Sequence, residues 1–349
     1  MDTVKVAVVG VGHLGSRHAR IYSELDRVEL VGVVDSDPAR AAEIGREYGC
    51  PSFRRLEDLP SGVEAVSVVV PTDRHYQVAS ALMERGCHLL VEKPITDSIP
   101  TARELLRQAE KNGLLLQVGH VERFNPGILG LEKIIKEPRF IECHRNAPFQ
   151  PRGTEVGVVL DLMIHDLDII LHLVASPVES LEAVGATVLS GHEDIANARI
   201  KFKSGCVANI TTSRISTGRL RKIRVFQDDA YISLDYMGRA GKVFRKVGDR
   251  IEVGELAIRD GEPLKLELES FLEAVRLGGK PQVAAEDSLA ALRVAVEVTR
   301  EVEKCEKKLK KLREKADGEL EAGQLPIPGM GNGAPKSTFG TSGKNSPDH

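Results

Sequence analysis

The chain opens on a near-continuous apolar run over residues 4–9 that stops at Gly10. Such a run suits a strand buried on both faces of a parallel sheet. Helical spacing follows over 14–25, and a second strand pattern over 28–34 ends at Asp35. Asp37-Pro38 then opens a helix: a side chain that caps free N–H groups, then a proline where its missing N–H costs little. Residues 65–70, 88–91 and 114–118 predict three further strands, with helices over 74–85 and 99–112 between them. Strands alternating with helices in short steps build βαβ units, and hence a doubly wound parallel sheet.

The rhythm changes near Glu122. Asn125-Pro126 opens a helix to residue 135, and strand-like runs then succeed one another over 178–187, 195–202, 207–212, 223–226 and 231–234. Turn pairs such as Ser190-Gly191, Ser204-Gly205, Thr217-Gly218 and Asp228-Asp229 separate them. Hairpin-like succession predicts a largely antiparallel sheet in a second, α+β domain. Helices over 266–277 and 286–316 close it, the second ending in a solvated lysine-rich stretch over 304–315. The expected division is an α/β domain over 1–122, an α+β domain over 123–315, and a tail over 316–349. The tail is rich in glycine and proline and poor in bulky apolar residues, so it is expected to stay disordered.

Composition narrows the function classes. A length of 349 residues agrees with two domains, and 42% hydrophobic residues supply two cores. A net charge of −3 gives no electrostatic footprint for nucleic acid. The most apolar stretch, 156–175, is broken by Asp161, His165, Asp166, Asp168 and His172, so no membrane span is expected. No signal peptide is visible, and the five scattered cysteines form neither a disulfide framework nor a zinc spacing. A reduced, cytoplasmic protein without a structural metal is the expectation.

Gly10-Val11-Gly12-His13-Leu14-Gly15 is a G-x-G-x-x-G between a strand and a helix, with Asp35 ending the next strand. In that context each glycine has a task. Gly10 permits the tight turn, Gly12 lets the backbone approach a pyrophosphate at the helix N-terminus, and Gly15 lets helix and strand pack closely. Asp35 accepts hydrogen bonds from ribose hydroxyls and repels a 2′-phosphate, which favours NAD over NADP; Arg40 is the residue that would offset this preference. Thr72 and His75, just past another strand end, are expected to line the same crevice. The cofactor set is thus Gly10, Gly12, His13, Leu14, Gly15, Asp35, Thr72 and His75, with Glu92 and Lys93 at the end of the fifth strand.

Reaction chemistry is expected from two segments. Glu92-Lys93-Pro94 places an ammonium at a strand end, where it polarises a substrate oxygen. Asp161 and His165 are four residues apart in a helical stretch, on one face, so that the carboxylate fixes the imidazole tautomer and the imidazole serves as base. A metal site built on Asp161, His165, Asp166 or His172 has no supporting ligand cluster. Together these features indicate oxidation of an alcohol by hydride transfer to a nicotinamide.

Gly10-x-Gly12-x-x-Gly15-x-x-His18, Glu92-Lys93-Pro94 and Asp161-x-x-x-His165, in that order, resemble the Gfo/Idh/MocA oxidoreductases over about residues 4–303. The resemblance implies a Rossmann domain followed by an α+β domain whose open, largely antiparallel sheet mediates assembly, so a homodimer or homotetramer is expected. It also implies a cis Lys93-Pro94 bond, Lys93 against substrate and nicotinamide, His165 as acid/base and Asp161 as its support. Many members carry glycines before the aspartate and one between aspartate and histidine; Val158, Val159 and Met163 stand there instead. Gly157 to Asp168 and Gly119 to Pro126 are more similar to the branch that oxidises the 3-hydroxyl of UDP-N-acetylglucosamine with NAD. A diphosphate needs cations, and Arg123, Arg145 and Arg152 are the candidates near the domain junction. The alternatives are an inositol or free-sugar dehydrogenase, or a dinucleotide-binding regulator without chemistry.

Overall fold

The first apolar run forms β1 (Val4–Val9), and its alternate residues feed opposite faces of one sheet. Val4, Val6 and Val8 enter one core, and Ala7 and Val9 the other. In this computed structural model, which describes residues 3–321 except 152, 153 and 155, α1 (Gly15–Glu24), β2 (Val28–Val34) and α2 (Pro38–Glu47) follow. The expected cap holds: the Asp37 carboxylate accepts from Ala39 N at 2.9 Å and Arg40 N at 3.3 Å. A short β3 (Ser52–Phe53), absent from the sequence reading, precedes β4 (Ala65–Val68), α3 (Thr72–Glu84), β5 (His88–Glu92), α4 (Ile99–Asn112) and β6 (Leu116–Gly119). The six strands are parallel in the order β3-β2-β1-β4-β5-β6. The order reverses between β1 and β4, which opens a ligand crevice at their C-terminal ends.

After a 3-10 turn over Val121–Phe124 come α5 (Pro126–Glu132), shorter than expected, and β7 (Pro138–Asn146), which the sequence pattern did not reveal. A π-helical turn over Val159–Met163 runs into α6 (Ile164–Val174). Seven strands follow: β8 (Val178–Ala186), β9 (Ile195–Phe202), β10 (Val207–Ser213), β11 (Leu220–Gln227), β12 (Ala230–Asp235), β13 (Ala240–Val247) and β14 (Arg250–Glu255). With β7 they form one sheet in the order β14-β13-β12-β11-β7-β10-β9-β8, antiparallel throughout except for β7 against β10. Its buried face packs on the π turn and α6, with Met163, Leu167 and Ile170 in one core with Ile141, Ile200 and Ile223.

The chain then returns to the first sheet. Leu268, Phe271 and Leu272 of α7 (Pro263–Leu277) pack with Val4, Val6 and Val8. The first turns of α8 (Ala285–Glu321) place Leu289 and Leu292 on the opposite face, and later turns place Ala295, Val298 and Val302 on the second core. Helix α8 continues through the first six residues expected as tail; 322–349 lie outside the described residues. Among the described residues no helix is long and apolar enough to cross a membrane.

Candidate active site

The glycine loop is built as its spacing requires. Gly10 has φ +86°, and a Cβ there would meet the Val69 carbonyl oxygen at 2.5 Å. A Cβ on Gly15 would strike the Gly10 carbonyl, so both positions exclude any side chain. At Gly12 a Cβ would meet nothing within 4 Å, so the backbone borders open space. Helix α1 has no side-chain cap and no acidic residue in its first turn. This uncapped helix N-terminus beside a side-chain-free backbone fits a dinucleotide pyrophosphate. His13 and Leu14 are exposed on the loop, His13 within 3.1 Å of Arg17.

Asp35 and Arg40 clasp the loop from its far side. The Asp35 carboxylate accepts from Val11 N at 2.8 Å and Asp37 N at 3.0 Å. Arg40 donates to the Val11 carbonyl at 2.9 Å and to Glu43 at 2.8 Å. Both polar groups of one peptide-bearing residue are thereby held. Thr72 begins α3 at the crevice edge, half-buried. His75 does not line the crevice: it is buried, its Nδ1 2.9 Å from the Pro94 carbonyl and its Nε2 2.9 Å from the Val70 carbonyl. It braces the Val70 strand end against the cis Lys93-Pro94 segment.

Glu92 also turns inward. Its carboxylate lies 3.3 Å from His18 Nε2 and accepts from Lys93 N at 3.3 Å, pressed against Gly119. His18 in turn bonds Ser67, whose hydroxyl meets Tyr22. Lys93 reaches the other way. Its Nζ donates to the Asp161 carbonyl at 2.7 Å and lies 3.6 Å from the Asp161 carboxylate. Segments 68 residues apart therefore meet beside the end of β5.

The Asp161–His165 relation differs from the expectation. Asp161 lies in the π turn Val159–Met163, and His165 in the first turn of α6. The Asp161 carboxylate pairs with Lys93, and His165 Nδ1, sealed from solvent, has no hydrogen-bond partner. Burial, with Lys93, Arg145 and Arg221 adding positive charge, holds the His165 pKa well below the usual imidazole range. The ring is neutral at physiological pH, the form a proton acceptor needs.

Arg145 is not a surface cation. It is buried, binds Asp166 through two nitrogens at 2.8 and 2.9 Å, and reaches Glu122 and the Tyr236 hydroxyl at 3.1 Å each. Its donors are committed to the fold, so it cannot serve as the diphosphate cation expected from sequence. Arg123 is likewise buried, 3.5 Å from Asp168 and 2.8 Å from His172, on the rim of a separate cavity. Arg152 lies outside the described residues. Sequence reasoning missed Arg221, whose side chain is 44% exposed, bonds Glu122 at 2.7 Å and raises the potential at His165. It also missed His120 and Asp168, which only three-dimensional proximity to His165 reveals. Among the described residues no group of three or more His, Cys, Asp or Glu is placed to hold a metal.

Comparison with known proteins agrees with this architecture. Residues 4–120 match the Gfo/Idh/MocA oxidoreductase family's NAD-binding Rossmann fold, and residues 135–233 match its C-terminal domain. A UDP-N-acetylglucosamine 3-dehydrogenase from Acidithiobacillus ferrooxidans is 38% identical over 79% of this chain and 90% of its own. A solved structure of that enzyme superposes with a TM-score of 0.83, covering 87% of this chain and 99% of its own. The NAD-dependent scyllo-inositol 2-dehydrogenase of Bacillus subtilis is 27% identical over 85% of this chain and 93% of its own. A parallel sheet of dinucleotide-binding order followed by a second, largely antiparallel sheet agrees with these matches: the chain belongs to the Gfo/Idh/MocA family of oxidoreductases.

Proposed function

We propose that the protein oxidises a sugar ring hydroxyl to a ketone, with the 3-hydroxyl of UDP-N-acetylglucosamine or a related nucleotide sugar as substrate and NAD as hydride acceptor. The observation that carries this reading is the junction of Lys93 with the Asp161 turn, four residues before a neutral, half-buried His165. A dinucleotide held by its pyrophosphate at the glycine loop would supply its nicotinamide as hydride acceptor. Lys93, steered by the Asp161 carbonyl and carboxylate, keeps protons free to hold the hydroxyl oxygen and stabilise its developing negative charge. His165 accepts the hydroxyl proton; the enclosure of Nδ1 supports Nε2 as the accepting nitrogen. Arg221, rather than Arg145, is the cation for a diphosphate.

Two observations support NAD over NADP. The Asp35 carboxylate stands at the ribose end, and Arg40, which would offset it, is committed to Val11 and Glu43. Assembly into a homodimer or homotetramer through the open face of the second sheet completes the reading. A row of rings, Phe140, Phe226, Tyr231 and Phe244, lines part of that sheet.

Incubating the protein with NAD or NADP and a panel of UDP-sugars and polyols, with absorbance of reduced cofactor and product mass as readouts, tests the proposal. Reduction of NAD with UDP-N-acetylglucosamine and a product two mass units lighter is expected. Turnover of inositol without any UDP-sugar would replace the substrate assignment by the polyol alternative, and no reduction with any alcohol would leave the regulator reading.

A further inference from the structure

When alcohol and nicotinamide fill the cleft, the proton taken by His165 needs another way out. His165, Asp168 and His172 stand at i, i+3 and i+7 of α6, one helix face that climbs about 10 Å from the cleft. His120, ending the Rossmann sheet, packs against this face with its ring edge-on to His165, centroids 6.5 Å apart. Its Nδ1 lies 3.9 Å from Asp168 Oδ2, and its Nε2 meets Ser288 at 2.9 Å. Beyond Asp168 a cavity of about 500 Å³ opens, bordered by Arg123, His172, Asp287 and Arg293.

The polar atoms along this face are unusual together. His165 Nδ1, His120 Nδ1 and both Asp168 oxygens are buried and lack a hydrogen-bond partner. Buried polar groups are nearly always paired, because each orphan costs about 1–3 kcal/mol. Three neighbouring groups whose buried proton-carrying atoms lack a hydrogen bond, the last of them bordering a cavity, have the form of a relay.

We propose that the proton released by alcohol oxidation leaves the cleft along α6, from His165 through His120 and Asp168 into the cavity at Arg123 and His172. This rests on the reading of His165 as the base. His165 takes the hydroxyl proton on Nε2 and releases one from Nδ1. A ring tilt or one bridging water spans the gap to His120 Nδ1. The proton then passes to Asp168 Oδ2 and to water in the cavity. One proton crosses per turnover; the electron pair leaves separately with the hydride.

The charges facing each group suit transfer. Burial, with Lys93 and Arg123, lowers His120 to about 3, against weaker upward pulls from Glu92 and Asp287, so it carries a proton only in passing. Burial raises Asp168 to about 7 although Arg123 and His172 oppose it, with Asp287 adding to the rise. A carboxyl that titrates near neutrality exchanges protons in both directions.

The test is the isosteric Asp168→Asn, assayed in dilute buffer on whichever panel alcohol the wild-type enzyme oxidises. A failed nucleotide-sugar assignment is then seen in the wild type and separated from a failed relay. The variant is expected to lose about tenfold or more in kcat with KM within twofold, to show a larger solvent deuterium isotope effect, and to recover on adding imidazole buffer. An unchanged kcat, or a loss that imidazole does not restore, overturns the relay. His172→Gln at the cavity mouth is expected to show a smaller loss with the same rescue, and keeps the test open if Asp168→Asn does not fold. If the wild type oxidises no alcohol, carbon-13 NMR of its aspartates decides: a carboxyl titrating near 7 that vanishes in Asp168→Asn supports the relay, and its absence overturns it.

Discussion

Asp166 and Asp168 lie two residues apart on α6, at 0% and 2% exposure. Asp166 holds Arg145 with both oxygens and also accepts from the Tyr236 hydroxyl at 2.7 Å. Asp168 has no hydrogen bond on either oxygen, and the Arg123 guanidinium stays 3.5 Å away. One helix, one residue type and one depth give opposite outcomes because of what faces each. Strand β7 and the residue after β12 supply Arg145 and Tyr236 to Asp166, whereas the segment after β6 offers His120 and Arg123 to Asp168 at longer range. Burial alone therefore does not define a carboxyl's role. A saturated cluster fixes the fold, and an unsaturated one keeps its protons exchangeable.

The contrast is broken most severely on the unsaturated side. His165→Ala is expected to cut turnover by about 10²–10⁴ while calorimetric dinucleotide affinity stays within a factor of a few. Matching losses in both would show that the ring supports the fold rather than the reaction. On the saturated side, Arg145→Ala strands Asp166 and Glu122 as buried charges and is expected to cost about 3–5 kcal/mol in urea unfolding. A cost under about 1 kcal/mol would remove the structural role assigned to this cluster.

The pH dependence sharpens the distinction. The folded-state pKa of Asp168 is raised to about 7 by burial, so the native chain binds a proton that the unfolded chain has already lost. This group's stabilising contribution is present below about pH 4 and is lost as pH rises toward 7. Asp168→Asn lacks that decline, so its stability relative to wild type is expected to grow by up to a few kcal/mol between pH 5 and 8. A difference independent of pH in urea unfolding would contradict the titration. The smallest effect concerns Tyr236→Phe, which removes one hydroxyl from the saturated cluster. It is expected to cost about 1–2 kcal/mol and leave turnover nearly unchanged.

Much of this molecule was legible from side-chain pattern. Continuous valine runs, the loop glycines and Asp35 define the first sheet because buried parallel strands tolerate little else. The second sheet was read only in part. Strand β7, central in its sheet, carries Arg139, Glu142, His144 and Arg145, whose charges mask an alternation resolved by pairing with β10 and β11. Strand β14 at the edge is exposed along its whole length, so no apolar face announces it. The π turn left no mark either, since one extra residue in a helical run changes geometry without changing composition. Arg145 was misplaced for a related reason: its partners Glu122, Asp166 and Tyr236 lie 21 to 91 positions away, and residue type does not reveal which arginine finds carboxylates first.

The clasp on Val11 bears on any attempt to redesign coenzyme selectivity. In the proposed reading Asp35 would discriminate against a 2′-phosphate, and it is also the acceptor that anchors the glycine turn through the Val11 amide. Exchanging it for alanine would relieve the repulsion and free the Val11 amide together, so phosphate tolerance would arrive with a looser cradle. Serine or asparagine retains an acceptor while shedding the charge, and Glu43→Gln would release Arg40 to meet the incoming phosphate. Selectivity and loop order are therefore best altered by coordinated substitutions at 35 and 43.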